Sequence, residues 1–420
     1  MRSKRVSILR HPYPYRCAFT ICNDCDYYTR EAFECIHEFL NTNKNTRIGK
    51  GLGLPIADSM FMYSGRPGGL SYFKGTSLRA GENAELLIDA AKEGWIDSMH
   101  SYGDFPSPGT FSRPMAENAI EELDRRGLKI RVWIDHGSGD NRQNLNVLPG
   151  FSTADDPDHP AYHTDLLKAY GIRFVAGYNS DRIGQDGGGY FRAKGMRQEG
   201  IPLSKIKWFY GKWYGKKLLR ARRLKDKSRF FFFCRARNGV IRPDARFLSW
   251  QLNKENINNL VRSGGTMLLY QHLGASRRRP NIFPFLDREA VRALNRIAEM
   301  YQDQVIWVAP TSRILGYALV RKSLDPRIHE MEDEIVLELV PGNRSSYVPE
   351  IGELRDLSLR LPYLNIKKMR IRYKDYEFNE DEWEVFQDGE TIVKINPGPR
   401  AVSNHEFKGP GVTPAFHPRV

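Results

Sequence analysis

The chain contains 420 residues, of which 40% are apolar, 12% aromatic and 27% charged. A chain of this length typically forms two or three domains, or one α/β barrel with an addition, and the composition excludes a disordered protein. No apolar run approaches the ~18 residues that a membrane-spanning helix needs. No apolar segment follows the basic N-terminus, so we expect no secretory signal peptide.

The five cysteines argue against a disulfide-stabilised secreted protein, because their number is odd and small for the length of the chain. Cys22 and Cys25 form a Cys-x-x-Cys pair, but no second pair lies at a spacing typical of zinc sites. We therefore interpret the cysteines as structural thiols, and we expect a cytoplasmic protein.

The net charge of +14 is concentrated in one segment. Residues 205–237 hold seven Lys, six Arg and one acid, a net of 13 − 1 = +12, so the other 387 residues carry only +2. The basic character is therefore local, and any nucleic-acid surface would have to come from this segment.

Up to about residue 325, short apolar runs alternate with segments of helical periodicity. The predicted strands are 16–21, 95–99, 129–134, 172–176, 266–270 and 305–308, with a further apolar run at 54–62. The predicted helices are 29–40, 82–92, 114–126, 163–170, 246–262, 288–301 and one that begins at 312. This alternation predicts an α/β fold with a mostly parallel sheet or barrel.

Two parts of the chain depart from that alternation. Residues 183–240 interrupt it, and we interpret them as an insertion into a barrel domain that spans 1–325. After residue 326 the apolar residues alternate with polar ones, at 335–339, 357–361, 369–373 and 391–395. This pattern predicts a small antiparallel β domain over 326–397, followed by a flexible tail at 398–420.

Acidic residues and histidines follow almost every predicted strand. Reactive groups of parallel α/β folds lie at these carboxyl ends, where the chain places Asp24, Asp26, His100, Asp104, Asp135, His136, Asp181, Arg182 and His272. A single Asp there is more often a helix cap, and a single His is more often a structural group. Together they favour a metal site, and mixed Asp and His ligands suit Zn²⁺ better than Ca²⁺ or Mg²⁺.

The order of these motifs resembles that of a divergent polysaccharide deacetylase of carbohydrate esterase family 4, which includes chitooligosaccharide deacetylases. Residues 19–26 read FTICNDCD where the family has TFDD, and residues 100–104 read HSYGD where it has His-Ser/Thr-x-x-His. Residues 268–272 read LLYQH where the family has a Leu-x-His strand, so the match is one residue out. Residues 132–137 read VWIDHG where the family has RPPYG. The resemblance covers about residues 16–310.

The resemblance implies a distorted, incomplete (β/α) barrel and metal-dependent removal of an N-acetyl group from a sugar. It assigns Asp24 as the base, Asp26 and His100 as metal ligands and His272 as the acid. The third ligand is Asp104 by spacing or His136 by residue type. Because the two aspartates are separated by one residue, the roles of Asp24 and Asp26 could also be exchanged.

Two other functions are compatible with the same residues. The superfamily that this fold resembles also contains glycoside hydrolases, in which Asp24 could pair with Asp135 or Asp181 as acid and base. A catalytically inactive relative that binds glycans is the second alternative. Asp135, Asp181 and Arg182 are therefore candidate substrate-binding residues.

The basic segment 205–237 also contains many aromatic residues, and we predict a hairpin around 225–228. It could be a solvated face over an aromatic core. It could instead bind an anion through Trp208, Trp213 and Arg222, for example an acidic or lipid-diphosphate-linked glycan or an anionic membrane surface. RNA ranks lowest among these partners, because RNA binding would not require Asp and His at every strand end.

Overall fold

The computed structural model describes residues 6–105, 107, 110–137, 141–145, 153–189, 191–193, 216–240, 243–274, 283–332, 334–342, 347–362, 368–387 and 389–398. Trp208, Trp213 and the predicted tail beyond Gly398 lie outside these residues. Of the helices in the described residues, none combines the length and the hydropathy that crossing a membrane requires.

The described residues form 21 strands. In chain order they are β1 (Ser7–Ile8), β2 (Cys17–Asn23), β3 (Asp58–Met60), β4 (Tyr63–Ser64), β5 (Ile96–His100), β6 (Gly103–Asp104), β7 (Val132–Ile134), β8 (Phe174–Ser180), β9 (Arg182–Ile183), β10 (Phe191–Arg192), β11 (Leu219–Arg223), β12 (Arg229–Ala236), β13 (Thr266–Gln271), β14 (Ile306–Val308), β15 (Leu324–Glu330), β16 (Ile335–Pro341), β17 (Leu357–Leu361), β18 (Met369–Tyr373), β19 (Tyr376–Phe378), β20 (Trp383–Gln387) and β21 (Thr391–Ile395).

The α-helices of the same residues lie mainly between the strands of the first 325 residues. They are α1 (Arg30–Asn41), α2 (Ala84–Lys92), α3 (Arg113–Arg125), α4 (Thr164–Tyr170), α5 (Leu248–Gln251), α6 (Lys254–Ser263), α7 (Arg288–Gln302) and α8 (Thr311–Ser323). Thr29 caps α1, since its side chain accepts a hydrogen bond from the Ala32 amide.

Eight parallel strands form the main sheet, in the order β14-β2-β13-β12-β8-β7-β5-β3, and β11 adds antiparallel to β12. The sheet curls into a half-barrel whose two edge strands, β14 and β3, do not pair with each other. The predicted α/β class and partial barrel are therefore confirmed at this level.

β12 lies within the segment predicted as an insertion, yet it is an integral strand of the sheet. It pairs in parallel with β8 and antiparallel with β11. The predicted hairpin is present between β11 and β12, and the Leu224 amide donates to the Ser228 carbonyl at 2.9 Å across its turn. Phe230 and Phe232 pack on one face of the sheet and Phe233 on the other. The last part of the segment is therefore core and not insertion.

The two faces of the main sheet are covered differently. Phe19, Trp133 and Leu269 belong to a hydrophobic cluster that includes buried residues of α1–α4, α6 and α7. Ala18, Ile134, Phe174 and Leu268 belong to a second cluster, together with Ile314, Leu315 and Ala318 of α8 and residues of the C-terminal strands. A late helix, α8, thus covers the face that the other helices leave open.

The C-terminal strands form two four-stranded sheets. One is antiparallel, in the order β1-β17-β21-β20, and includes the N-terminal strand β1, which the sequence did not predict. The other has the order β15-β16-β18-β19, in which β16 and β18 are parallel. The four predicted strands at 335–339, 357–361, 369–373 and 391–395 are present as β16, β17, β18 and β21.

The single helix predicted at 246–262 is wrong, because the structure divides it into α5 and α6. The α5 helix ends at Gln251, and Asn253 begins a new helix by accepting a hydrogen bond from the Asn256 amide. The Asn side chain favours a helix cap over a helix interior because it hydrogen-bonds to nearby backbone amides. The prediction failed because it considered the apolar periodicity and not this cap.

Candidate metal centre

Side chains on or directly after four strands of the main sheet meet at its carboxyl edge. Asp24 and Asp26 follow β2, His100 is the last residue of β5, and His136 and His272 follow β7 and β13. All except the partly exposed His272 are buried. The curl of the sheet therefore brings together residues that are up to 248 positions apart, as the parallel-sheet argument predicts.

Asp26, His100 and His136 form the first group that could hold a metal ion. Asp26 Oδ2 lies 3.4 Å from His100 Nδ1, and Asp26 Oδ1 lies 3.4 Å from His136 Nδ1. The candidate ligand atoms all lie within 4.8 Å of one another. His136 Nδ1 is buried and makes no hydrogen bond within the described part of the chain. A buried nitrogen that lacks a hydrogen bond is costly, and this one faces the Asp26 carboxylate, so the atom fits a metal ligand.

Asp24, Asp26 and His272 form a second group that shares Asp26 with the first. His272 Nδ1 lies 2.7 Å from the Pro243 carbonyl oxygen, and a carbonyl only accepts, so Nδ1 carries a proton. His272 Nε2 therefore faces the carboxylates, at 3.7 Å from Asp24 Oδ2 and 3.6 Å from Asp26 Oδ2. This group combines two carboxylates with one orientated imidazole.

Asp24 is held by a buried arginine that the sequence analysis did not identify. Arg235 of β12 donates from Nη1 to Asp24 Oδ1, and its guanidinium carbon lies 3.9 Å from the centre of the Tyr270 ring. Burial would raise the pKa of Asp24, but the charges of Arg235, His100 and His272 outweigh it and hold that pKa below its ordinary value. Asp24 is therefore a charged carboxylate.

Asp104 lies behind His136 and is in neither of the two groups found in the described residues. Its Oδ1 lies 3.1 Å from His136 Nε2, and its Oδ2 contacts Arg66 Nε. A carboxylate on the outer nitrogen of an imidazole fixes the ring and directs the other nitrogen inward. Of the two candidates for the third ligand, the geometry therefore groups His136 with Asp26 and His100, and Asp104 orientates it.

The charges within the centre shift its histidines in opposite directions. Burial lowers the pKa of His100 and outweighs the attraction of Asp24 and Asp26. Burial also acts on His136, but the hydrogen bond to Asp104 and the charge of Asp26 outweigh it and raise the pKa of His136. Burial would raise the pKa of Asp104, but the hydrogen bond to His136 and the charges of His136 and Arg66 outweigh it and lower the pKa of that carboxyl.

A buried hydrogen-bond network fixes the loop that carries the two aspartates. Asn23 Nδ2 donates to Asp58 Oδ1 at 2.7 Å, and the Leu273 amide donates to Asn23 Oδ1 at 2.7 Å. Ser59 Oγ donates to the Asn23 carbonyl at 2.8 Å and accepts from the Cys25 amide at 3.0 Å. The ends of β2, β3 and β13 are thereby tied together beneath the centre.

The other predicted site residues make different contacts. Asp135 Oδ1 accepts from Trp133 Nε1 and from the Leu145 amide, both at 2.9 Å, and Asp181 Oδ1 accepts from the Gly239 amide at 3.0 Å. Neither aspartate belongs to the two groups of candidate ligands in the described residues.

The basic side chains predicted to bind substrate also contact the protein. Arg182 Nη2 donates to the Gly189 carbonyl at 2.7 Å, and the Arg222 guanidinium carbon lies 5.2 Å from the centre of the Phe232 ring. All five cysteines are buried and form no disulfide, in agreement with structural thiols.

Arg235 could have been found from one feature of the sequence. It follows the apolar run Phe230–Phe233 and Cys234, which is typical of a buried strand, and a buried arginine requires a charged partner. The high charge of the whole segment concealed this signal.

No protein-family profile and no curated protein sequence matches this chain. The function is therefore inferred from the geometry of the site. That geometry provides buried Asp and His groups that could hold a metal ion.

Proposed function

We propose that this protein is a metal-dependent hydrolase that acts on a carbohydrate and removes an N-acetyl group from an N-acetylated sugar. One observation carries the proposal: a buried set of candidate metal ligands adjoins a second, charged carboxylate and an orientated histidine. This is the combination that metal-assisted amide hydrolysis requires.

The proposed metal ligands are Asp26, His100 and His136, and a set of one carboxylate and two imidazoles suits Zn²⁺. The buried and unbonded His136 Nδ1 supports this assignment. When bound, a divalent ion supplies polarisation of the amide carbonyl and acidification of water. The remaining chemistry falls to residues of the chain.

Asp24 is the proposed base and His272 the proposed acid. The Arg235 contact keeps Asp24 charged and therefore able to accept a proton from the attacking water. His272 already donates from Nδ1 to a carbonyl, so a proton on Nε2 is directed toward the carboxylates and the leaving amine. The contact with Arg235 distinguishes Asp24 from Asp26, which supports the first of the two role assignments.

Glycoside hydrolysis is less well supported. It requires one carboxylic acid that stays protonated, which needs a raised pKa. The pKa values of Asp24 and Asp104 are both shifted downward. The two proposed partners of Asp24 are engaged elsewhere: Asp135 accepts from Trp133 and Leu145, and Asp181 accepts from the Gly239 amide.

A product assay on chitotetraose, a neutral N-acetylated tetrasaccharide, tests the proposal. We expect released acetate with an intact sugar chain, and loss of release in Asp24→Asn and His272→Gln. Shortened chains would support the glycosidase alternative. Binding without any product would support an inactive glycan-binding protein.

We also propose that the substrate is acidic or lipid-linked and that the basic hairpin β11–β12 contacts it in the cytoplasm. The hairpin carries Arg220, Arg222 and Arg223 on β11. Replacing all three with Ser should weaken binding to vesicles that contain anionic lipid, and the loss should shrink in high salt. Equal binding of the triple variant would contradict this part of the proposal.

A further inference from the structure

An exposed aromatic side chain lies directly beside the buried metal centre. Tyr27 is 53% exposed, whereas its neighbours Asp26 and Tyr28 are 7% and 1% exposed. Its backbone is left-handed, with a φ of 64°. A bulky residue adopts this conformation at an energetic penalty, and such strain clusters at functional sites.

Arg66 connects Tyr27 to the centre. Its guanidinium carbon lies 4.4 Å from the centre of the Tyr27 ring, and its Nε contacts Asp104, which in turn bonds His136. The Arg66 side chain is 44% exposed. A guanidinium has five N–H donors, so the contact with Asp104 and a hydrogen bond with Tyr27 still leave donors for a ligand on this exposed side chain.

We propose that Tyr27 and Arg66 form a subsite for an acidic saccharide at the entrance to the centre. Arg66 covers one face of the Tyr27 ring, and the exposed remainder of the ring offers an apolar surface to the C–H face of a sugar. Arg66 then pairs with a carboxylate of the sugar in bidentate geometry. The inference rests on the proposed function for its substrate class and names that substrate as an acidic N-acetylated glycan.

The test compares the binding of two end-labelled tetrasaccharides by fluorescence anisotropy on the full chain. One is a hyaluronan tetrasaccharide, which carries both carboxylates and N-acetyl groups, and the other is neutral chitotetraose. We expect the wild type to bind the acidic probe about two- to fivefold more tightly, as one exposed ion pair allows. Equal binding of the two probes would overturn the role of Arg66.

Variants separate the two contacts. Tyr27→Gly should weaken binding of both probes about three- to tenfold, whereas Tyr27→Phe should bind like the wild type. Arg66→Gln should abolish the preference for the acidic probe, and Arg66→Lys should retain part of it. Arg47→Gln is the matched control, since Arg47 is 54% exposed and its guanidinium carbon lies 4.8 Å from the centre of another exposed ring, that of Phe283.

Two further readouts exclude a merely structural role. Glycine suits a φ of 64°, so Tyr27→Gly should not lower the unfolding temperature, and a lower temperature together with unchanged binding would overturn the proposal. Acetate release is measured separately. If binding depends on Tyr27 and Arg66 but no acetate is released, the hydrolase is refuted and the subsite is kept. If acetate is released but the Tyr27 and Arg66 variants bind both probes like the wild type, the subsite is refuted and the hydrolase is kept.

Discussion

At the scale of single residues, the pair of Asp24 and Arg235 is the strongest electrostatic constraint in the centre. Both side chains are almost fully buried, so each would lose its main compensating charge without the other. The Tyr270 ring supports the guanidinium from one side. Arg235 of β12 thus holds Asp24, which follows β2, and fixes its carboxylate in one position.

Removing one charge of this pair should therefore destabilise the protein strongly. We expect Arg235→Met to lower the free energy of unfolding by about 3–5 kcal/mol, because it leaves the Asp24 carboxylate buried and unpaired. Adding Asp24→Asn should restore much of that loss. Urea denaturation measures both variants. Arg222→Met on the same hairpin is the control, and an equal loss there would contradict the argument.

Replacing His136 tests the proposed set of metal ligands directly. We expect His136→Ala to lose the metal, as determined by elemental analysis, while its circular dichroism stays that of the wild type. Asp104→Asn should retain the metal but bind it roughly 10–100-fold more weakly, because Asp104 only orientates the imidazole. His329→Ala replaces an exposed histidine and should keep full metal content. Full content in His136→Ala would disprove the ligand set.

Most of this cluster was predictable because the carboxyl ends of parallel strands meet at one edge. That rule brought Asp24, Asp26, His100, His136 and His272 together without any knowledge of distances. It could not separate Asp104 from His136 as the third ligand, since the choice depends on side-chain direction. It also placed Asp135 near the edge without showing that Trp133 and Leu145 engage it.

At the scale of elements, α8 shows how far a periodicity argument extends. Its buried residues include Ile314, Leu315, Tyr317, Ala318 and Val320, which lie on more than one side of the helix. Such a distribution is typical of a buried helix. The sequence therefore predicts a helix from 312, but it does not show that the helix lies against the sheet face opposite to the other helices.

Two neighbouring substitutions on α8 should have opposite effects. Leu315 is fully buried, so Leu315→Ala should lower the free energy of unfolding by about 2–5 kcal/mol through loss of contacts and a cavity. Gly316 lies in the helix interior with open space around the position of a Cβ, so Gly316→Ala should raise the free energy by about 0.4–1 kcal/mol. Chemical denaturation checks both, and destabilisation by Gly316→Ala would contradict the packing described.

At the scale of the whole molecule, Glu353 joins the main sheet to the C-terminal region. It lies in a 3₁₀ turn at Ile351–Leu354 and contacts Arg131, Arg173 and Tyr347. The two arginines directly precede β7 and β8. Burial would raise the pKa of Glu353, but the charge of Arg173 and the hydrogen bond from Tyr347 outweigh it and lower that pKa.

The stability contributed by Glu353 should therefore depend on pH. A carboxyl with a lowered folded-state pKa stabilises the protein above its unfolded pKa of about 4.3, and the contribution disappears as the pH falls through the folded value. We expect Glu353→Gln to lower the free energy of unfolding by roughly 1–3 kcal/mol at pH 7, and the difference from wild type to shrink below about pH 4. Exposed Glu330→Gln should show neither effect. A difference that grows in acid would contradict the assignment.

The position of α8 also sets the earliest point in synthesis at which a helix can cover this sheet face. The sheet face that α8 covers begins with β2 at Cys17, whereas α8 itself begins at Thr311, almost 300 residues later. At a translation rate of about 5–20 residues per second, roughly 15–60 s separate the two elements on the ribosome. During that interval the apolar residues of β2 on this face remain uncovered, so we expect the nascent chain to bind chaperones and a version truncated before α8 to aggregate.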